Sequence, residues 1–224
     1  MTVAVTTTRA AYPRWSGPLR QEGLDPVSLP CIEIRPTGRL REARQEAAAA
    51  DWLVLTSPRA VSVLWPEGGM PPVPAAVVGG GTARAVRQAG GEVALVGDGD
   101  GRRLAQVLGG RVSGGTLLFL HGTRADAGRF SGLAGVDVRA MAVYETIPLP
   151  PAPDPVDGAV FGSPSAVEGW TMSRTLGDLA VVAAMGPVTA RALHGLGVDD
   201  VVTPPRPGIE SVARTLSATL EMTR

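Results

Sequence analysis

Short apolar runs alternate along this chain with longer segments whose pattern suits helices. The runs are rich in Val and Leu and lack polar alternation, which is typical of strands buried on both faces of a parallel sheet. The predicted strands are residues 3–7, 52–56, 75–78, 92–96, 116–121, 136–139, 158–161, 179–184 and 200–203. Strands that alternate with helices in this way predict an α/β fold with parallel sheets.

Glycines mark the ends of the predicted helices. Residues 82–89 are followed by Gly90 and residues 189–194 by Gly195, and glycine just past a helix is a stop signal. Two proline-bounded extended stretches, residues 26–36 and 140–150, interrupt the alternation at matching places in the two halves. We expect these stretches to pair as an antiparallel ladder that joins two modules.

The chain contains one pattern twice. Ser57 lies in DWLVLTSPRAV and Ser163 at the same place in DGAVFGSPSAV, while Thr82 lies in VVGGGTARAV and Thr189 at the same place in AMGPVTARAL. The two pairs keep one register. A repeat this long predicts two similar modules with a groove between them, and grooves of that kind are common binding sites for small molecules.

The repeated Ser-Pro pairs predict helix starts. Serine is a preferred N-cap and proline is preferred at the first helical position, so we expect both Ser57 and Ser163 to cap helices. Both helices would begin at the carboxyl end of a strand, where open α/β sheets bind ligands. Since free N–H groups at helix starts attract anions, these two turns and those at Thr82 and Thr189 are candidate anion sites.

Composition narrows the function classes. The chain has 224 residues, 19% of them charged, and a formal net charge of zero, which disfavours a general nucleic-acid binder. The single Cys31 excludes an internal disulfide framework and fits a reducing compartment. We find neither a signal-peptide pattern nor an apolar run long enough to cross a bilayer. A soluble cytoplasmic protein that binds neither nucleic acid nor membrane is therefore expected.

Motifs for cofactors and metals are incomplete. The glycines at 79 and 81 begin a dinucleotide-binding pattern, but Arg84 occupies its third glycine position. His121 and His194 are far apart, and no metal-ligand spacing is present. The turn at Ser163 also lacks the second glycine of a nucleophile elbow. We expect no cofactor and no metal, and a nucleotide-dependent enzyme stays as a disfavoured alternative.

Tyr144 has two interpretations. It is one of two tyrosines and lies in an otherwise apolar extended segment, residues 141–147. It could pack its ring as an amphipathic strand residue. It could also project its phenol into the groove, where a phenol that is protonated at neutral pH can donate to a leaving oxygen.

Five motifs in this order resemble the uroporphyrinogen-III synthase family over most of the chain. They are TSPRAV at 56–61, GGGTA at 79–83, VYET at 143–146, FGSPSAV at 161–167 and GPVTARAL at 186–193. The resemblance implies an α/β protein of two flavodoxin-like domains with parallel sheets, joined by a two-stranded extended linker. One domain would comprise residues 1–30 and 151–224, the linker strands 31–38 and 141–150, and the inserted domain 39–140. The residue pattern alone would equally allow two consecutive halves.

The resemblance also implies a reaction, a cofactor-free cyclisation in haem biosynthesis. The linear tetrapyrrole hydroxymethylbilane, which carries eight carboxylates, would lose water and close through a spiro intermediate with ring D inverted. Tyr144 would assist departure of the hydroxyl group in a monomeric enzyme. The substrate-binding residues would be Arg9, Ser57, Gly81, Thr82, Ser163, Ser165 and Thr189. The alternative is a non-catalytic two-lobed module that binds a tetrapyrrole or a small anion, since the groove offers no strong acid, base or metal.

Overall fold

The computed structural model describes residues 1–206 and 208–222, and within them eleven strands alternate with eight α-helices. The strands are β1 (Thr2–Val5), β2 (Asp25–Ser28), β3 (Ile32–Pro36), β4 (Trp52–Leu55), β5 (Ala75–Val77), β6 (Val93–Val96), β7 (Thr116–Gly122), β8 (Asp137–Pro148), β9 (Gly158–Phe161), β10 (Val181–Ala184) and β11 (Val201–Val202). The helices are α1 (Tyr12–Gln21), α2 (Leu40–Ala49), α3 (Pro58–Leu64), α4 (Gly80–Gln88), α5 (Gly101–Gly109), α6 (Pro164–Thr171), α7 (Pro187–His194) and α8 (Ile209–Met222).

The chain divides into two compact units. The first unit comprises Met1–Glu33 and Ile147–Arg224, and the second comprises Ile34–Thr146. Both are α/β units, and each is built on a sheet whose strands are parallel except for the edge strand β3 of the second. The α/β fold with parallel sheets that the apolar runs predict is therefore confirmed.

The first unit has a five-stranded sheet in the order β11-β10-β9-β1-β2. Val3 and Val5 of β1 pack on one face in a core shared with α1 and α8, while Ala4 packs on the other face in a core shared with α6 and α7. Because helices cover both faces, successive strand residues are all buried, which explains why the strands read as continuous apolar runs.

The second unit has a six-stranded sheet in the order β3-β8-β7-β4-β5-β6. Leu53 and Leu55 of β4 pack on one face with residues of α2, α3 and α4. Val54 packs on the opposite face with Leu104 of α5 and with Phe130 of a 3₁₀ turn. This sheet too is covered on both faces, apart from its edges.

The two sheets share one spatial arrangement but differ in chain order. Across the first sheet the order is β2-β1-β9-β10-β11. In the second sheet, the five strands beside the edge strand β3 have the order β8-β7-β4-β5-β6. The repeated motifs follow β4 and β5 in one unit and β9 and β10 in the other. The first sheet has the strand order of flavodoxin, 2-1-3-4-5. The second has the same order in space, but its chain forms the third, fourth and fifth of these positions before it forms the first and second.

The segment from 136 to 150 departs from the sequence-based prediction. The sequence predicts residues 136–139 and 140–150 as separate elements, but the structure has one twelve-residue strand, β8. One edge of β8 pairs in parallel with β7 as far as Tyr144. The other edge is bonded from Thr37 N to Val143 O at 3.0 Å and from Leu149 N to Cys31 O at 2.8 Å. Residue numbers rise on one strand as they fall on the other, so β3 and β8 form an antiparallel pair, and this pairing keeps the chain extended past residue 139. The ladder is shorter than predicted, because residues 26–28 of the stretch 26–36 belong to β2, which pairs in parallel with β1 in the first sheet.

Candidate active site

The carboxyl ends of β4 and β7 form the topological switch point of the second unit. The two strands are neighbours, yet α3, which follows β4, packs on one face of the sheet and the 3₁₀ turn Ala127–Phe130, which follows β7, packs on the other. Connections that leave adjacent strands toward opposite faces open a crevice at the strand ends, and open α/β sheets bind ligands there. Ser57 and Gly122 lie at these two strand ends.

Ser57 caps α3 as the sequence predicts. Its Oγ accepts a hydrogen bond from Arg59 N at 3.2 Å, and Pro58 follows as the first helical residue. The hydroxyl is thus engaged with its own helix. The predicted contact of Ser57 with a ligand stays a prediction.

Tyr144 is buried at the end of the β7–β8 pairing, with 7% of its surface exposed. The register shifts there: His121 pairs with Ala142 but Gly122 pairs with Tyr144, which leaves Val143 as an extra residue on β8. Such a bulge changes which face a side chain occupies. The tyrosine ring packs in the core that contains residues of α3, as expected for an amphipathic strand residue. The alternative, a phenol that acts as a proton donor, depends on where the hydroxyl group lies.

Gly122 makes room for the Tyr144 hydroxyl. A Cβ at position 122 would lie 2.6 Å from Cε2 and Cζ of the Tyr144 ring and 2.9 Å from its hydroxyl oxygen. Real Cβ atoms do not approach other atoms so closely, so any larger residue at 122 would displace the phenol. The sequence analysis did not identify Gly122, because the close approach depends on pairing between two strands.

Arg59 is a half-buried residue in the first turn of α3 that was not predicted from the sequence as a site residue. Burial is the main cause that lowers the pKa of its guanidinium, and the charge of Tyr144 acts in the opposite direction. The two copies of the repeat differ at this position, with Arg59 in one and Ser165 in the other.

Gly81 and Thr82 lie in the first turn of α4, directly after β5. Thr82 is 3% exposed, and its backbone N donates to Gly79 O at 3.1 Å. Gly81 is exposed, and a side chain there would meet no atom within 4 Å. The backbone of Gly81 is therefore accessible to solvent, while the side chain of Thr82 is buried.

The first unit has its own switch point at the carboxyl ends of β1 and β9. These strands are neighbours, and the helices that follow them, α1 and α6, pack on opposite faces. Arg9 is exposed there, at the start of the 3₁₀ turn Arg9–Ala11. Ser163 occupies the equivalent place after β9.

Ser163 does not cap α6, so this part of the capping prediction is wrong. Its side chain makes no cap hydrogen bond, and its buried Oγ has no hydrogen-bond partner among the described residues. The backbone at Ser163 (φ −165°, ψ 158°) is more extended than at Ser57 (φ −148°, ψ 139°). A buried oxygen without a partner costs about 1–3 kcal/mol, so Ser163 has unused hydrogen-bonding capacity.

Ser165 and Thr189 occupy the positions in the first unit that match Arg59 and Thr82. Ser165 is 8% and Thr189 is 4% exposed, and Thr189 N donates to Gly186 O at 3.1 Å in the first turn of α7. Each unit thus brings its predicted site residues to the carboxyl edge of its own sheet. Whether they contact a substrate stays a prediction.

Two kinds of feature are absent from the part of the chain that the structure describes. Over residues 1–206 and 208–222, no group of three or more His, Cys, Asp or Glu residues is placed to hold a metal ion. Within the same ranges, no helix has the length and apolarity needed to cross a bilayer.

Comparison with known proteins gives one consistent family. The family model for uroporphyrinogen-III synthase HemD matches residues 13–214. The chain is 29% identical over 252 aligned positions to the chloroplastic uroporphyrinogen-III synthase of Oryza sativa subsp. japonica, an alignment that covers 96% of this chain and 81% of that protein.

Solved structures are similar in fold. Uroporphyrinogen-III synthetase of Helicobacter pylori superposes with a TM-score of 0.68 at 15% identity, and a mutant synthase of Thermus thermophilus with 0.58 at 18% identity. Each comparison covers 99% of both chains.

Proposed function

Because the chain belongs to the uroporphyrinogen-III synthase family, we propose that it is the cyclising lyase of tetrapyrrole biosynthesis that converts hydroxymethylbilane to uroporphyrinogen III. The main structural support for the proposal is the position of the Tyr144 hydroxyl, which lies next to Gly122 at the end of β7. It is a proton donor placed at the strand edge where α/β sheets bind ligands.

Tyr144 is the proposed acid in the first step. The C–O bond of the terminal hydroxymethyl group breaks with both electrons on oxygen, and that oxygen takes the phenolic proton and leaves as water. The substituted carbon of ring D then attacks the methylene carbon to give a spiro intermediate, which fragments and recombines at the free α carbon. In the fragmentation, the bond between the substituted carbon of ring D and its methylene bridge to ring C breaks, and this bridge carbon then bonds to the free α carbon of ring D. The proton lost from the free α carbon as the macrocycle closes restores the phenol, so the net change is loss of one water.

The remaining predicted residues are proposed to bind the substrate. Hydroxymethylbilane is a polycarboxylate, and exposed Arg9 is suited to pair with a carboxylate. Open backbone at Gly81 and the unpartnered Ser163 Oγ are suited to hydrogen bonding. The other proposed binding residues are Ser57, Thr82, Ser165 and Thr189.

Positioning is the main task that the proposal assigns to these residues. Hydroxymethylbilane closes spontaneously to the type I isomer, so an enzyme that makes type III must hold ring D in the inverted arrangement. Fixing reacting groups in one geometry supplies much of the rate without strong acids or bases. The role proposed for Tyr144 is therefore limited to donating one proton and taking one back.

The organisation of the protein is also part of the proposal. We infer that residues 1–30 with 151–224 form one functional domain, that 39–140 form the second, and that 31–38 and 141–150 link them. We infer that the enzyme is monomeric. We infer that it is cytoplasmic, because its single cysteine, Cys31, is a buried free thiol and free thiols persist in a reducing compartment.

Product analysis tests the proposal. Purified protein is incubated with enzymatically generated hydroxymethylbilane, and the oxidised porphyrins are separated by chromatography into type I and type III isomers. Type III as the main product supports the synthase. Tight tetrapyrrole binding with type I as the product would instead identify a non-catalytic binding module.

A further inference from the structure

We propose that His121 binds the substrate, with its Nε2 accepting a hydrogen bond from the N–H group of the pyrrole ring that carries the hydroxymethyl group. This inference rests on the proposed function and deepens it, because it names the substrate group that the residue contacts. His121, Gly122 and Tyr144 all belong to the second unit, so the argument depends on that unit alone.

His121 lies at the carboxyl edge of the second sheet. It directly precedes Gly122, the last residue of β7, and only 6% of its surface is exposed. Its ring packs against the ring of Phe119, with the two centroids 4.7 Å apart and the planes tilted by 31°. A buried ring packed in this way has few alternative rotamers, so the positions of its two nitrogen atoms are fixed.

The contact made by Nδ1 determines which ring nitrogen is an acceptor. Nδ1 lies 2.9 Å from the backbone oxygen of Gly122. A carbonyl oxygen can only accept, so Nδ1 must carry the hydrogen of the neutral imidazole and donate it to Gly122 O. Nε2 then has a lone pair and no hydrogen. In this tautomer Nε2 accepts hydrogen bonds and cannot donate them.

Nε2 has no partner of its own and is not enclosed by the core. Over residues 1–206 and 208–222, the bond from Nδ1 is the hydrogen bond that His121 makes. In the same ranges, the fully buried side-chain nitrogen and oxygen atoms without a partner belong to Ser28, Arg129 and Ser163, so Nε2 is accessible to solvent. A polar nitrogen left unpaired beside a core does not stabilise the fold. Packing alone therefore does not explain a histidine at the end of an apolar strand.

His121 and Tyr144 lie on either side of the end of β7. Successive strand residues point to opposite faces of a sheet, and the Phe119 ring beside His121 packs in the core on the face of α5. The Tyr144 ring, whose hydroxyl lies next to Gly122, packs in the core on the face of α3. A hydrogen-bond donor and a hydrogen-bond acceptor thus flank one strand end at the topological switch point.

The chemistry of the substrate requires an acceptor at the site. The exposed Arg9 guanidinium and the backbone N–H groups at helix starts suit the carboxylates, but each pyrrole ring of hydroxymethylbilane presents an N–H donor. When the hydroxyl group leaves, the pyrrole ring to which it was joined through the methylene supplies electrons, and the N–H group of that ring becomes positively polarised. An acceptor bonds to such a group more strongly in the transition state than in the substrate. The leaving oxygen and this N–H group lie close together on one ring, as the donor Tyr144 and the acceptor His121 do at the end of β7.

Two substitutions separate the roles of the two ring nitrogens. His121→Gln extends an amide oxygen toward the Nε2 position, where it can accept, but gives up the donor to Gly122 O. His121→Asn is shorter, so its amide nitrogen can replace Nδ1 as the donor to Gly122 O, but it offers no acceptor at the Nε2 position.

We expect kcat and stability to rank these variants in opposite orders. In His121→Asn, kcat should fall by about tenfold to a hundredfold, the range for losing a hydrogen bond to a charged group, while His121→Gln should keep a kcat closer to that of the wild type. Thermal melts should show His121→Asn as the more stable of the two. His194→Asn is the matched control, because Nδ1 of this exposed histidine makes the same kind of bond, to Val198 O at 2.8 Å, and its kcat should be unchanged.

Several outcomes overturn the inference. A kcat that follows stability, higher in His121→Asn than in His121→Gln, would mean that His121 acts only through its bond to Gly122. Equal losses in the two variants, or wild-type kcat in both, would also reject it. If circular dichroism shows that either variant is unfolded, His121→Phe replaces it, since phenylalanine can pack against Phe119 and has no acceptor. It should then lose kcat as expected for His121→Asn, and wild-type kcat would reject the inference.

A binding measurement separates failure of this inference from failure of the proposed function. If the wild type forms only the type I isomer, the proposed function is wrong, and the role of His121 is decided by affinity. The probe is the bilane that carries a methyl group in place of the hydroxymethyl group, which keeps every pyrrole N–H group but has no hydroxyl to lose. Calorimetry that shows tighter binding to His121→Gln than to His121→Asn would support His121 as an acceptor. Equal affinities, or no binding by the wild type, would overturn the inference.

Discussion

Gly122 and the hydroxyl end of the Tyr144 ring occupy adjacent space on neighbouring strands: a Cβ at position 122 would stand 2.6 Å from Cζ and 2.9 Å from the hydroxyl oxygen. The bulge at Val143 creates this relationship, because it pairs Gly122 with Tyr144. The missing side chain at 122 is therefore what allows the phenol to lie at the strand end.

Gly122→Ala should lower kcat while the protein stays folded. The atoms that the new methyl group would meet belong to the far end of a side chain, so the ring can swing aside at modest cost, on the order of 1–3 kcal/mol. The swing takes the phenol away from the position proposed for catalysis. Steady-state kinetics and thermal melts check this outcome. Gly132→Ala, where a Cβ meets no atom within 4 Å, is the control, and equal kcat in the two variants would contradict the prediction.

Tyr144→Phe should reduce turnover on the order of a hundredfold, which is the low end for loss of a general acid. The ring still fills its place in the core, so the melting temperature should change little. The type III isomer should remain the product of the residual reaction, because positioning of ring D does not use the hydroxyl. A variant with unchanged kcat would remove the tyrosine from the mechanism.

Sequence predicted the strand centres well, since apolar runs without alternation reflect burial on both faces of each sheet. It missed the continuity of β8, because nothing local at residue 139 shows that one edge continues along β7 while the other pairs with β3. It treated Ser57 and Ser163 alike, although only Ser57 caps its helix. It could not foresee Gly122 beside the Tyr144 ring, a close approach that depends on the register of two neighbouring strands.

Gly169→Ala should destabilise the first unit. Glycine within a helix is normally less stable than alanine by about 0.5–1 kcal/mol, so the usual effect of this substitution is stabilising. Here a Cβ would meet the backbone oxygen of Cys31 and lie 2.7 Å from that of Leu149. Cys31 O accepts a hydrogen bond from Leu149 N at 2.8 Å, so this backbone cannot move aside without weakening that bond. We expect a loss of about 3 kcal/mol or more in the free energy of unfolding.

Denaturant titration measures this loss. Gly177→Ala, in the same unit and with open space around the added methyl group, should change the free energy of unfolding by less than about 1 kcal/mol. A Gly169→Ala variant as stable as that control would show that α6 does not pack against the Cys31–Leu149 pair as described.

The thiol of Cys31 should make stability depend on alkaline pH. Burial raises the pKa of Cys31 from 9.0 to about 12, with the nearby Arg174 cation acting in the opposite direction. Since the folded value lies above the unfolded one, the contribution to stability is complete below about pH 9 and is lost as pH rises toward about 12. The free energy of unfolding should therefore fall more steeply between those limits in the wild type than in Cys31→Ala. Parallel slopes would contradict the prediction.

The ratio of type III to type I product at increasing enzyme concentration tests the central claim most directly. Spontaneous closure of hydroxymethylbilane proceeds at a fixed rate, so a synthase must compete with it in proportion to its own concentration. We predict that the type III fraction rises with enzyme until type I is nearly absent. A fraction that stays at the value without enzyme, at every concentration, would contradict the account.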